Sequence, residues 1–254
     1  MQVAPKKSFG QHFLKDDAIA FAIADSFGEE EFDTVVEVGP GKGILTKHLF
    51  TKYGNKLSAV EVDEDSISYL QTNYPALAER IIYNDFLQID LSIFNSTKIA
   101  VIGNYPYNIS TQIIFKVLDY KDLVASCAGM FQLEVAKRIC AVPGNKDYGI
   151  LSVLAQAWYN CKLTMTVHEH VFEPPPKVKS GVILMERNSV TKLNCNEAQF
   201  KTVVKAAFNQ RRKTLNNALK SINVNHKKIP YAGLRAETLS VSQFEELTNE
   251  LYSK

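Results

Sequence analysis

Residues 34–45 read TVVEVGPGKGIL: a β-branched run, three glycines at alternate positions, then the apolar start of a new segment. Thr34–Val38 has the composition of a buried strand, and Ile44, Leu45 and Leu49 follow at helical spacing. Strand, glycine loop and helix in that order bring a ligand against backbone N–H groups at the start of a helix. The pattern Glu37-x-Gly39-x-Gly41-x-Gly43 differs from the dinucleotide fingerprint, whose third glycine lies one residue later, and lacks the Lys-Ser/Thr of a phosphate-binding loop. The glycines alone leave the ligand open.

The neighbouring segments narrow it. A strand over 57–62 ends in Glu61-Val62-Asp63, one over 81–83 ends in Asn84-Asp85-Phe86, and one over 98–103 ends at Asn104. With the first strand, that makes four in succession with a polar residue at the carboxyl end, where open α/β sheets bind ligands. Glu61 lies 22 positions after Gly39, placed to accept the hydroxyls of a ribose. Asp85 is placed to accept from an adenine amino group. An adenosine ligand without pyrophosphate fits, and S-adenosylmethionine, whose sulfonium cation suits nearby carboxylates, is the common cofactor of that kind. Spacing alone also admits NAD.

Residues 101–110, VIGNYPYNIS, turn a strand end into a polar and aromatic corner. In isolation Asn-x-Pro-Tyr is also an ordinary turn. As part of a site, Asn104 offers a side-chain oxygen and Tyr105 a backbone carbonyl, held in place by Pro106. Two such acceptors orient a base amino nitrogen whose lone pair is otherwise delocalised into the ring. Tyr107 gives a face for a purine and Phe172 a second face. A base in an intact stack is out of reach, so a flipped or unpaired target is implied.

Further strands are expected over 124–131, 163–168 and 182–185, and helices over 111–118, 134–140 and 151–159. The chain has 254 residues, 46% of them apolar, enough for an α/β core with a small second domain. No apolar run approaches a membrane span and the leader is too short and polar for a signal peptide, so a soluble, cytoplasmic protein is expected. Cys127, Cys140, Cys161 and Cys195 are scattered and read as reduced. His168 and His170 alternate with Glu169 on an expected strand, and no metal site is expected.

Near residues 188–196 the composition turns polar, dividing the chain into 1–188 and 189–254. The first part carries 18 basic and 22 acidic side chains, the second 11 and 5, a basic helical module suited to nucleic acid. Phe200, Val203, Val204 and Phe208 form its apolar face, and Arg211, Arg212 and Lys213 end that segment. The N-terminal stretch is basic, then aromatic, and reads as an ordered arm.

Six segments together resemble the ribosomal RNA adenine dimethyltransferases, specifically the bacterial small-subunit type. They are KKSFGQHFL at 6–14, VVEVGPGKGILT at 35–46, EVD at 61–63, NDFL at 84–87, IGNYPYNIST at 102–111 and VFEPPPKVKSGV at 171–182. The resemblance implies a Rossmann-like class I methyltransferase with a mostly parallel seven-stranded sheet and a small all-helical C-terminal domain. It implies N6 dimethylation of two adjacent adenines in a hairpin near the 3′ end of small-subunit rRNA, with four S-adenosylmethionine molecules used per substrate. By the resemblance, cofactor contacts fall on His12, Leu14, Gly39, Glu61, Asp85 and Asn104, and the catalytic corner on Asn104, Tyr105, Pro106 and Tyr107. Members of the family often carry Leu where this chain has Tyr105, a change expected to alter packing and leave the chemistry intact. A monomer is expected, acting on an immature small subunit, with Lys6 and Lys7 of the arm binding RNA near the active site and Arg211, Arg212 and Lys213 on the rRNA backbone. The alternatives are a large-subunit rRNA adenine methyltransferase and an rRNA-binding assembly factor with incidental activity.

Overall fold

The structure, a computed structural model, describes residues 3–6, 10–222 and 229–253. In chain order its strands are β1 (Phe13–Leu14), β2 (Thr34–Val38), β3 (Leu57–Glu61), β4 (Ile81–Tyr83), β5 (Ile99–Asn104), β6 (Val124–Gln132), β7 (Tyr159–Val167), β8 (Phe172–Glu173) and β9 (Ser180–Arg187). The helices are α1 (Asp17–Ala24), α2 (Thr46–Tyr53), α3 (Glu64–Asn73), α4 (Ser110–Asp119), α5 (Leu133–Cys140), α6 (Ile150–Gln156), α7 (Glu197–Asn209), α8 (Leu215–Ala218) and α9 (Val241–Tyr252).

Seven strands form one sheet in the order β4-β3-β2-β5-β6-β9-β7. The pairs from β4 through β6 are parallel, and β9 joins β6 antiparallel. Strands β2, β3 and β5 are buried along nearly their whole length, as strands covered on both faces must be, which is why they read as continuous apolar runs. The chain moves outward from β2 to β3 and β4, then returns on the other side of β2 as β5. The loops after β2 and β5 therefore diverge and open a crevice at the strand ends.

A second, two-stranded sheet was not foreseen. β1 pairs antiparallel with β8, Leu14 opposite Phe172 and Phe13 opposite Glu173. It ties the N-terminal segment to residues more than 150 positions away, and Asp16 then starts α1 by accepting from the Ile19 amide.

Two expectations are corrected. The helix expected to reach residue 159 stops at Gln156, and β7 begins at Tyr159. His168 and His170 do not alternate on a strand: β7 ends at Val167, a single 3₁₀ turn covers Glu169–Val171, and the two rings lie 6.0 Å apart. Among the described residues no cluster of His, Cys, Asp or Glu could hold a metal ion.

The chain divides into two compact units, Met1–Ala136 with Lys162–Arg187, and Lys137–Cys161 with Asn188–Lys254. The second unit thus includes an excursion that a contiguous division at residue 188 leaves out. Within it, the Arg211 guanidinium donates to the Glu237 carboxylate at 3.0 Å and to the carbonyls of Lys146 and Tyr148, binding the excursion to the later helices. Its core brings Phe200, Val203 and Phe208 of α7 together with Phe244 and Leu247 of α9. No helix among the described residues is long and apolar enough to cross a membrane.

Candidate active site

The crevice opens into a cavity of about 240 Å³ in the first unit, just below the usual range for small-molecule sites. Its walls come from the loops after β2, β3, β4 and β5, and from residues 10–13, which cover one side. Among the described residues that line it, none is Lys or Arg. The cavity is rich in acceptors and poor in cationic donors, which fits a positively charged nucleoside and disfavours a pyrophosphate.

Glu61, at the end of β3, is 4% exposed. One carboxylate oxygen accepts from the Val62 and Asp63 amides and the other from the Gly41 amide at 3.1 Å. Burial pushes its carboxyl above the ordinary range, against the pull of those amides. A carboxylate has about four lone-pair sites, so one remains to take a ribose hydroxyl where two had been expected. Gly41 brings its amide there through a left-handed φ of +54°, and a Cβ on it would meet the Phe13 ring at 2.8 Å. Asp85 accepts from the Leu87 amide through one oxygen, leaving the other for the cavity that it lines.

Glu37, inside β2, is 1% exposed, and its Oε2 has no hydrogen-bond partner among the described residues. Burial pushes its pKa up to about 8, with the Thr46 hydroxyl opposing and Glu61 adding to the rise. Glu37 borders a small cavity whose wall shares Phe13, Gly39 and Asn104 with the larger one. An orphaned buried acceptor at that point is the feature a cationic ligand would satisfy.

At the end of β5 the Asn104 amide nitrogen donates to the His12 carbonyl at 3.0 Å. A carbonyl can only accept, so that contact fixes which amide atom is nitrogen and leaves Oδ1 as a free acceptor. Tyr105 donates its backbone N–H to the Met130 carbonyl, and no hydrogen bond takes up its own carbonyl among the described residues. Pro106 follows, with no N–H to compete and a ring that restricts Tyr105 to extended geometry. Tyr107 lies half-buried beside them, its hydroxyl 2.5 Å from Ser180 Oγ and its ring stacked on His12 with centroids 5.6 Å apart.

The family model for ribosomal RNA adenine dimethylase matches residues 3–252. The chain belongs to that family. A relative from Phocaeicola vulgatus, named ribosomal RNA small subunit methyltransferase A, is 53% identical over 253 residues, 98% of this chain and 90% of that one. A dimethyladenosine transferase from Plasmodium falciparum superposes with a TM-score of 0.78 at 23% identity, covering 93% of this chain and 96% of that one. The 23S rRNA methyltransferase ErmE superposes at 0.71 with 21% identity, covering 94% and 99%. At those identities the two solved structures bear on the fold alone.

Tyr105, the corner residue expected to alter packing, does so from within the core. Its side chain is 1% exposed and turned beneath the corner, its hydroxyl donating to the Ala128 carbonyl at 2.8 Å and its ring 4.8 Å from that of Phe131. The ring lies against Gly103 and Gly129, and a Cβ at Gly129 would sit 2.6 Å from it and 2.2 Å from the Gly103 carbonyl. Tyr105→Phe removes that donor while the Ala128 carbonyl stays in the sheet. A loss of about 0.5–1.5 kcal/mol in urea-unfolding stability is expected, with methylation retained below the unfolding transition.

The structure corrects three other expectations for this dimethylase. Phe172 is 1% exposed in the core and does not line the cavity, so it offers no face to a base. Lys6 is committed within the chain: it pairs with the buried Asp63 carboxylate and, at 2.7 Å, with Asp65. Burial works against the Asp63 carboxylate, but Lys6, Ser66 and Gln11 outweigh it and hold its pKa below the ordinary value. Arg211 is spent on the turn it binds, leaving Arg212 and Lys213 exposed beside it. Lys7 lies outside the described residues. Sequence reasoning passed over Ser180 and Glu37 as site residues. Glu37 had a signal, a lone acid inside an apolar strand.

Proposed function

We propose that the chain dimethylates N6 of two adjacent adenines in a hairpin near the 3′ end of small-subunit rRNA, acting on an immature small subunit during its late assembly. The observation that carries the reading is the pair of acceptors at the end of β5, Asn104 Oδ1 and the Tyr105 carbonyl, beside the Tyr107 ring. The small-subunit name of a relative 53% identical over 98% of this chain supports the substrate.

S-adenosylmethionine, when bound, supplies an electrophilic methyl carbon on its sulfonium. Glu61 would hold the ribose and Asp85 the adenine amino group, with Gly39, His12 and Leu14 closing around the remainder and Glu37 offering its free acceptor. Asn104 Oδ1 and the Tyr105 carbonyl accept the two N–H bonds of the target amine. Held on that side, the nitrogen lone pair turns out of conjugation toward the methyl donor. In the second round the amine has one N–H left, so one acceptor holds it while the first methyl takes the other place. The surplus proton passes to solvent, and no covalent intermediate forms.

Purified protein incubated with labelled S-adenosylmethionine and either unmodified small subunits or naked large-subunit rRNA tests this. Label at N6 of two neighbouring adenines of the small-subunit RNA is expected. Label confined to large-subunit rRNA, or found on cytosine or protein, overturns the reading.

Arg212 and Lys213 would contact RNA phosphates. Replacing both with Ala should lower the slope of log affinity against log salt by about 1.4 to 1.8, roughly 0.7–0.9 per lost contact. Arg211→Ala should instead lower the thermal stability of the second unit and leave the slope nearly unchanged.

A further inference from the structure

The Tyr107 ring is not bare. The His12 imidazole lies against it, 5.6 Å between centroids with planes 30° apart. A base sandwiched between them would need two stacking spacings, about 6.8 Å at about 3.4 Å each. So the two rings cannot both grip a base where they stand. Tyr107 is the fixed member. Its hydroxyl is tied at 2.5 Å to Ser180 Oγ, and Ser180 is fully buried at the start of β9. His12 is held differently: its backbone is anchored by Asn104 through its carbonyl, while its side chain has one polar contact among the described residues, Nδ1 donating to the Pro174 carbonyl at 2.7 Å. That bond is at the surface, where water can replace it.

We propose that His12 is a placeholder for the target base. Its imidazole occupies the face of Tyr107 on which the flipped adenine stacks, and it rotates out about its side-chain bonds when the base arrives. One stack is exchanged for another, so the aromatic face is never left open to solvent or to a wrong base. The same residue touches Asn104 through its main chain, so the backbone beside the acceptor amide stays fixed while the ring moves. His12 thus acts as a positioning residue through Tyr107. Competition from the imidazole lowers the apparent affinity for the flipped base by the fraction of time the ring is in place.

This inference rests on the flipped-adenine reading above. Its test uses a hairpin RNA with 2-aminopurine at the mapped target position, titrated against the intact protein, and steady-state methylation of unmodified small subunits. For His12→Ala a roughly three- to tenfold tighter 2-aminopurine transition is expected, with the KM for the small subunit lowered when S-adenosylmethionine is saturating. His12→Trp, whose larger ring stays stacked, should move both in the opposite direction. In a Tyr107→Leu background neither change should alter the titration. A raised KM in His12→Ala would make the imidazole a wall that grips the base, and an unchanged KM would make it a bystander; either overturns the proposal. Melting curves and cofactor affinity without RNA identify a variant that fails through folding or the arm, in which case His12→Trp decides. Wild-type protein that labels no adenine would instead remove the underlying reading.

Discussion

Asn104→Ala should fold while losing about 10²–10³-fold in kcat at saturating cofactor, the size expected for deleting one placed polar group at a reacting centre. The substitution removes Oδ1, one of two acceptors for the amine, and Nδ2, which grips the His12 carbonyl. Asn104→Asp separates these roles. It keeps an acceptor but turns the grip on His12 into a repulsion between two oxygens, so the arm should loosen and cofactor affinity should fall with the rate. Single-turnover methylation, with cofactor affinity measured separately, distinguishes the two. Equal kcat in wild type and Asn104→Ala would remove the residue from the chemistry.

Glu37→Gln should make the protein more stable in alkali. The carboxyl is buried with one oxygen unpartnered, and burial, opposed by Thr46 and reinforced by Glu61, lifts its pKa from 4.5 to about 8. Between those values the folded chain holds a proton that the unfolded chain has lost. The resulting contribution is complete below about 4.5 and is lost as the pH rises through about 8. The penalty at pH 9 is on the order of a few kcal/mol, at roughly 1.4 kcal/mol per unit and discounted for relaxation around the charge. Gln keeps the shape without the charge, so urea melts at pH 6 and pH 9 should show a smaller fall in the variant. Cys127 and Cys140, each pushed up to about 12 by burial, do not titrate in that window. Parallel pH dependence in both proteins would mean that Glu37 ionises near its ordinary value.

The sheet and the positions of Glu61, Asp85 and Asn104 were legible because parallel strands buried on both faces leave uninterrupted apolar runs, each broken by a polar residue where the strand ends. What escaped were contacts between distant segments. Phe172 looked like an exposed ring beside three prolines, but β1 pairs over it and takes it into the core. Lys6 looked like a free cation, but Asp63, 57 positions on, meets it. Arg211 resembled its two neighbours in sequence, and only its contacts with Glu237 and the carbonyls of 146 and 148 set it apart. The antiparallel placement of β9 and the excursion at 137–161 belong to the same class, since neither leaves a periodic trace along the chain.

The β1–β8 pairing has a consequence for the order in which the protein assembles. Closing a loop of that length costs more entropy than forming any of the neighbouring parallel pairs, so the pairing gains its reward late. Phe13 and Leu14 are synthesised well before Phe172 and Glu173, and until those are made they have no strand to pair with. A nascent chain halted before that point would already have its four ligand-facing strand ends but not the strand pair that fastens the covering segment.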